Sequence, residues 1–272
     1  MNRISQTVPY QYDTTFSPFK TSEFEVAIEF LAEKGFTGVE LAVAYPGQVD
    51  DSKLLKQLAP YRLAVTSLST GQIYGLEGLF LSSSDKEVSN RAIQIVKGHI
   101  DLSTVLGNPP VTIGLIRGKL EKDGKSILLG NLKSALLKCV EYAYKRNVVL
   151  QLEPICKAET SIINSTYDGL DFLKEMGDPE NVGLLYDTYH SNLEDGRMIE
   201  AIQAAAGRIT NVHFADSTRG LPGSGTINFS SIYEAIQKTG YQGAYALETL
   251  SIPSVDYVKE NFAASMMNIV KS

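Results

Sequence analysis

Short apolar runs alternate with longer amphipathic runs along most of the chain. Residues 37–44 (TGVELAVA), 62–69 (RLAVTSLS), 111–116 (VTIGLI) and 148–153 (VVLQLE) read as strands. Val182–Asp187, Ile209–Phe214 and 244–248 continue the series. Residues 4–10 give a weaker first strand, because Pro9 cannot donate to a ladder. Helical patterns lie between these runs. Residues 21–34 have Ser22 followed three positions on by Glu25, the spacing of a capping box, and Gly35 as a stop. Residues 125–146 carry Leu128, Leu129, Leu132, Leu136, Leu137 and Val140 near helical spacing. Residues 166–176, 197–206, 229–239 and 255–270 follow the later strands.

Strands too apolar to face water, alternating with helices, predict an α/β fold with a parallel sheet buried on both faces. Eight such units predict a closed (β/α)8 TIM barrel. A doubly wound open sheet is disfavoured, because no GxGxxG follows the first strand. With no Pro/Gly-rich linker, charge block or low-complexity tract, one domain over 1–272 is the simplest organisation.

Composition narrows this further. A chain of 272 residues suits one barrel of about 250. At 43% hydrophobic and 21% charged it is a folding sequence rather than a disordered one. Its net charge of −6 repels phosphate backbones, so nucleic acid is not an expected partner. Two cysteines, Cys139 and Cys156, do not make a disulfide framework and point to a reducing compartment. The opening residues lack the apolar core of a signal peptide, and no run approaches the ~18 residues of a membrane helix. The expectation is a cytoplasmic protein with no membrane partner. A homo-oligomer is left open.

In a barrel, chemistry collects where strands end at their carboxyl side. Four apolar runs close on ligand-type residues: Glu153, Asp187, His213 and Glu248. Their separations, 187−153 = 34, 213−187 = 26 and 248−213 = 35, are each about one βα unit. Singly, an acid after a strand is often a helix cap, and a lone His is often a core residue. Four successive units repeating the pattern argue for one shared metal site. Three carboxylates and an imidazole suit Mn²⁺, with Mg²⁺ or Co²⁺ as alternatives, better than Zn²⁺. Glu159, His190, Asp216 and Arg219 follow these strands at short offsets. Asp216 reads as a supporting or capping acid. The GLPGSG run after Arg219 is a turn that could also cradle a phosphate. Cys156 reads as an inert thiol, and His99 and Glu40 read as structural.

These motifs have a familiar combination. EPxxxxE (Glu153 to Glu159), DTYH (Asp187 to His190), HxxDxxR with PGxG (His213 to Gly225) and the final Glu248 resemble the ketose 3-epimerases. These are D-tagatose/D-psicose 3-epimerase-like enzymes of the xylose-isomerase-like barrel superfamily. STGQ (Ser69 to Gln72) and IGLIRG (Ile113 to Gly118) look like the 5-keto-L-gluconate epimerase type. The resemblance implies a divalent metal on Glu153, Asp187, His213 and Glu248. It implies Glu153 and Glu248 as the two acid/base groups, and Glu159, His190 and Arg219 against the sugar.

Such a set suits proton transfer beside a ketone. A metal polarises the carbonyl, one carboxylate removes the C3 proton to give an enediolate, and the other returns a proton on the opposite face. An aldose–ketose isomerase of the sugar or hydroxypyruvate type, or an inosose dehydratase, could use the same scaffold. An abasic-site endonuclease would need a His-rich three-metal site, and this chain has three histidines in all. A non-catalytic sugar-binding barrel would not need both Glu153 and Glu248. Arg117 ends the fourth strand at the rim and Gln72 follows the third, so both are expected against substrate. Arg117 in particular is expected to hold the carboxylate of a keto-sugar acid.

Overall fold

The computed structural model describes residues 2–119 and 124–270. Met1, residues 120–123 and residues 271–272, inside the expected 1–272 domain, lie outside the described residues. Eight strands close a barrel in chain order: β1 Ile4–Pro9, β2 Gly38–Ala42, β3 Ala64–Ser69, β4 Val111–Ile113, β5 Leu150–Leu152, β6 Val182–Asp187, β7 Ile209–Phe214 and β8 Ala244–Leu247. Every neighbouring pair is parallel, and β1 pairs with β8 to complete the ring. The fold is a (β/α)8 TIM barrel. Pro9 ends β1 without breaking its edge, since the next N–H, from Tyr10, reaches Ala42 O at 3.0 Å.

Ten α-helices surround the barrel among the described residues: α1 Phe24–Glu33, α2 Asp51–Leu58, α3 Gln72–Glu77, α4 Lys86–Val105, α5 Lys125–Tyr144, α6 Thr166–Glu175, α7 Thr188–Glu194, α8 Met198–Ala204, α9 Phe229–Lys238 and α10 Val255–Val270. Residues 4–9, 38–42 and 182–187 are buried throughout, which is why their sequences do not alternate apolar with polar.

The expected Ser22–Glu25 capping box does not form. A 3₁₀ turn over Thr21–Glu23 precedes α1, and the Glu23 carboxylate instead accepts the Lys20 N–H at 2.9 Å. The expected fourth strand stops at Ile113, and residues 115–117 wind into another 3₁₀ turn. Helices α2, α3 and α4 were not expected. In α4, Ala92, Ile93, Val96, His99, Ile100 and Ser103 are buried at helical spacing. Its Val, Ile, Ser and Thr content lowers helix propensity, and packing overrides it.

The barrel interior is polar at its core. Gln151 Nε2 donates to Ser67 Oγ at 2.9 Å and Thr112 Oγ1 at 2.8 Å, all fully or almost fully buried. Across the barrel, Asn211 Nδ2 donates to Glu40 Oε2 at 3.0 Å. These bonds satisfy inward side chains that an apolar filling would otherwise replace.

Candidate active site

The four expected ligand residues meet at the carboxyl end of the barrel. Asp187 is the last residue of β6 and His213 the last but one of β7, while Glu153 and Glu248 directly follow β5 and β8. One ligand-type atom from each lies within 4.8 Å of the others. From His213 Nδ1 the distances are 3.2 Å to Glu248, 3.7 Å to Asp187 and 3.9 Å to Glu153.

Asp187 is both a cap and a cluster member. Its Oδ1 accepts the N–H groups of Tyr189 at 2.7 Å and His190 at 3.0 Å, which starts α7. Its Oδ2 faces His213.

Electrostatics separate the acids. Burial pushes Glu153 well above the usual carboxylate range, and Glu248 adds to the effect. Burial raises Asp187 to about 6. Burial raises Glu248, but His213, Arg219 and His190 together hold it below its ordinary value. Burial opposes a charge on His213, yet Glu40 and Glu248 hold it well above its usual value. Three carboxylates this close around one imidazole call for a cation, and the oxygen-rich donor set fits a hard divalent metal. The cluster could hold such an ion.

A cavity of about 170 Å³ opens beside the cluster. That is below the usual 300–1,000 Å³ of drug-sized sites. Glu153, Glu248, Glu159, His190, Arg219 and Gln72 all line it. Burial depresses His190 to about 3, so its ring is neutral. Its Nδ1 accepts the Cys156 N–H at 3.3 Å, which leaves Nε2 as the N–H donor.

Arg219 donates to Glu159 Oε1 at 2.5 Å and lies over the rings of Phe16, at 4.3 Å, and Tyr189, at 4.8 Å. Its backbone is left-handed at φ 62°, a strained setting for a non-glycine residue. Asp216 holds the loop that carries it. The buried carboxylate accepts N–H groups from Ser217, Gly223 and Ile227 at 2.7–3.1 Å. The Gly223 N–H that a phosphate would need is therefore taken, so GLPGSG is a pinned turn.

Gln72 reaches the cavity, where its Nε2 donates to Tyr12 O at 2.5 Å and its Oε1 has no partner among the described residues. Arg117 does not. It is fully buried, and its guanidinium donates to the carbonyls of Glu153 and Ile163. The expectation that it meets a substrate carboxylate fails on this geometry: the side chain clamps backbone beneath the rim.

Sequence reasoning missed three contributors. Glu40 reads as structural in the sequence, yet its Oε2 lies 3.0 Å from His213 Nε2. The signal was available: an acid inside the apolar run GVELA has to be paired. Gly114 leaves room for Glu153, since a Cβ there would come within 2.8 Å of Glu153 Oε2. Phe16 lies in a segment without periodicity, and only the fold brings it to Arg219.

Comparison with known proteins agrees with this fold. The family model described as xylose isomerase-like TIM barrel matches residues 28–266. The chain is similar to an L-ribulose 3-epimerase of Mesorhizobium japonicum, 32% identical over 238 residues covering 86% of this chain and 78% of that one. A solved L-ribulose 3-epimerase structure aligns with a TM-score of 0.80 at 30% identity, covering 98% of this chain and 86% of that one. The structure of a D-allulose 3-epimerase from Methylomonas sp. in complex with D-allulose aligns with a TM-score of 0.84, covering 99% and 96% of the two chains. Its 24% identity supports the shared fold alone. The chain belongs to the xylose isomerase-like TIM barrel family, among its ketose 3-epimerases. It is an enzyme of the carbohydrate epimerase class. No helix of the described residues is long and apolar enough to cross a membrane.

Proposed function

We propose that this chain, as one barrel domain, is a metal-dependent epimerase that inverts C3 of a neutral ketose. The observation that carries the reading is the placement of Glu153 and Glu248. Two carboxylates from strands on either side of β6 and β7 line one small cavity beside Asp187 and His213. Glu153, Asp187, His213 and Glu248 would hold the ion, Mn²⁺ first, with Mg²⁺ or Co²⁺ able to replace it. When bound, it would supply Lewis-acid polarisation of the substrate carbonyl.

The chain's own groups account for the rest. One of Glu153 and Glu248 takes the C3 proton, and the other delivers a proton from the opposite face. The neutral His190 offers an N–H to a sugar oxygen. Gln72 Oε1 accepts from a hydroxyl, and Glu159 with Arg219 brackets the reacting carbons. The substrate is uncharged on this reading. Arg219 is the only cation among the described lining residues, and Glu159 already pairs with it. Of the other lining acids, Glu248, held below its ordinary value, adds negative charge, which repels a sugar acid.

Deuterium incorporation from D₂O, followed by NMR, tests the mechanism. Early in the reaction the product epimer should carry deuterium at C3 while recovered substrate carries little. Glu153→Gln and Glu248→Gln should each lose epimerisation by about 10²–10⁴-fold, the usual contribution of a positioned acid or base. Each should retain C3 exchange for one epimer only, and the two variants should choose opposite epimers. Deuterium at C1 would make the enzyme an isomerase, and exchange of both epimers by one variant would mean a single base.

A further inference from the structure

His213 stands between two sets of carboxylates. Nδ1 faces Glu248, Asp187 and Glu153, while Nε2 faces Glu40 alone at 3.0 Å. A neutral imidazole has one N–H, so its ligand atom is decided by which nitrogen keeps the proton. Glu40 comes from β2, on the far side of the barrel from β7, and is fully buried. Its other neighbours are donors as well. Asn211 Nδ2 reaches the same Oε2 at 3.0 Å, and Thr7 Oγ1 reaches Oε1 at 3.4 Å. Surrounded by donors, the carboxylate acts as an acceptor, and His213 Nε2 is the N–H it receives.

We propose that Glu40 is a positioning residue that fixes His213 as the Nε2–H tautomer and aims the Nδ1 lone pair at the three carboxylates, so that Nδ1 is the metal-ligating atom. Asn211, two residues before His213 on the same face of β7, keeps the Glu40 carboxylate turned toward the ring. Partners of this kind behind a histidine ligand set its tautomer and orientation, and losing one costs roughly 10–100-fold in metal affinity. The inference rests on the metal reading above.

Titration of the metal-stripped protein with Mn²⁺, followed by calorimetry, tests it. Glu40→Gln preserves shape, but its amide can donate as well as accept, so it no longer selects a tautomer. It should weaken Mn²⁺ binding about 10–100-fold. Glu40→Asp retains the carboxylate and should recover part of the loss. In a His213→Ala background, Glu40→Gln should change Mn²⁺ affinity no further, because Glu40 acts through the ring. An equal loss in both backgrounds would make Glu40 a structural or purely electrostatic element and overturn the proposal, as would an unchanged affinity of Glu40→Gln. A wild-type protein that binds no Mn²⁺ would instead overturn the metal reading itself.

The wild type gives an independent check that needs no variant to fold. With three histidines in the chain, nitrogen-15 spectra of the protein loaded with diamagnetic Mg²⁺, where a ligating ring is neutral, should show a slowly exchanging proton on His213 Nε2 and none on Nδ1. A fast-exchanging or absent Nε2–H would refute the assignment.

Discussion

At the scale of single residues, the site depends on what is left out as much as on what is present. Gly114 is the clearest case, because the atom a Cβ would strike is the far end of Glu153 and not backbone. Gly114→Ala should therefore cost the fold little and the chemistry much. We expect the melting temperature to hold within a few degrees while kcat falls at least about tenfold, read by parallel thermal melts and epimerase assays. A large loss of stability at unchanged kcat would show that Glu153 has room elsewhere. Individual ligand-type residues were legible in the sequence because a charged group at the end of an apolar strand is costly to bury without a partner. Gly114 was not, since a missing side chain acquires meaning only when its neighbour is known. Glu40 stood in plain view inside GVELA, but its partner is 173 residues away, and no local pattern spans that distance.

Between elements, Arg117 joins three pieces of chain. It sits in the 3₁₀ turn after β4, and its guanidinium binds the Glu153 carbonyl at the end of β5 and the Ile163 carbonyl in the following loop. Burial lowers it to about 10, against the raising effect of Glu153, so it still carries its charge at neutral pH. Ile163 adopts a left-handed backbone at φ 57°, an unusual conformation for a β-branched residue, and presents that carbonyl. The same loop carries Glu159, which in turn holds Arg219. Arg117→Ala should destabilise the protein by about 2–4 kcal/mol, the scale of losing charged hydrogen bonds in a buried place. Its kcat/KM should fall by the same factor for neutral ketoses and for keto-sugar acids. A selective loss on the acids would restore the carboxylate-binding role that its position in the sequence suggests. The sequence put Arg117 at the end of the fourth strand, but the strand stops at Ile113 and three residues of 3₁₀ turn rotate the side chain inward, and strand patterns do not reveal where a short turn intervenes.

For the molecule as a whole, the eight-fold alternation of strand and helix was readable because both faces of a parallel barrel are covered, which leaves uninterrupted apolar runs. Helix α4 was hidden by its β-branched residues although its buried positions repeat at helical spacing. It matters to stability through His99, which is fully buried with Nδ1 2.9 Å from Ile95 O and Nε2 2.9 Å from Val43 O. Burial holds this imidazole below its ordinary value of about 6.5, outweighing both carbonyls. The folded chain thus binds fewer protons here than the unfolded chain in mild acid. The contribution of His99 is fully present above that ordinary value and declines as pH falls below it, by at most about 1.4 kcal/mol per pH unit. Denaturant unfolding of the wild type and His99→Gln between pH 7.5 and 5.5 should show their stability difference shrinking toward acid. A difference that stays constant or grows would mean that His99 is protonated in the folded protein.

Asp187 turns its two oxygens in different directions, one onto the first N–H groups of α7 and the other into the cluster. A cation drawn to the second oxygen withdraws charge from the first, and α7 carries His190 into the cavity. If the cluster holds the proposed ion, its occupancy and the setting of His190 would be thermodynamically linked, and linkage is reciprocal: whatever factor the ion adds to the affinity for a sugar, the sugar adds to the affinity for the ion. Through one aspartate, the ion and the sugar of the proposed function would become each other's effectors.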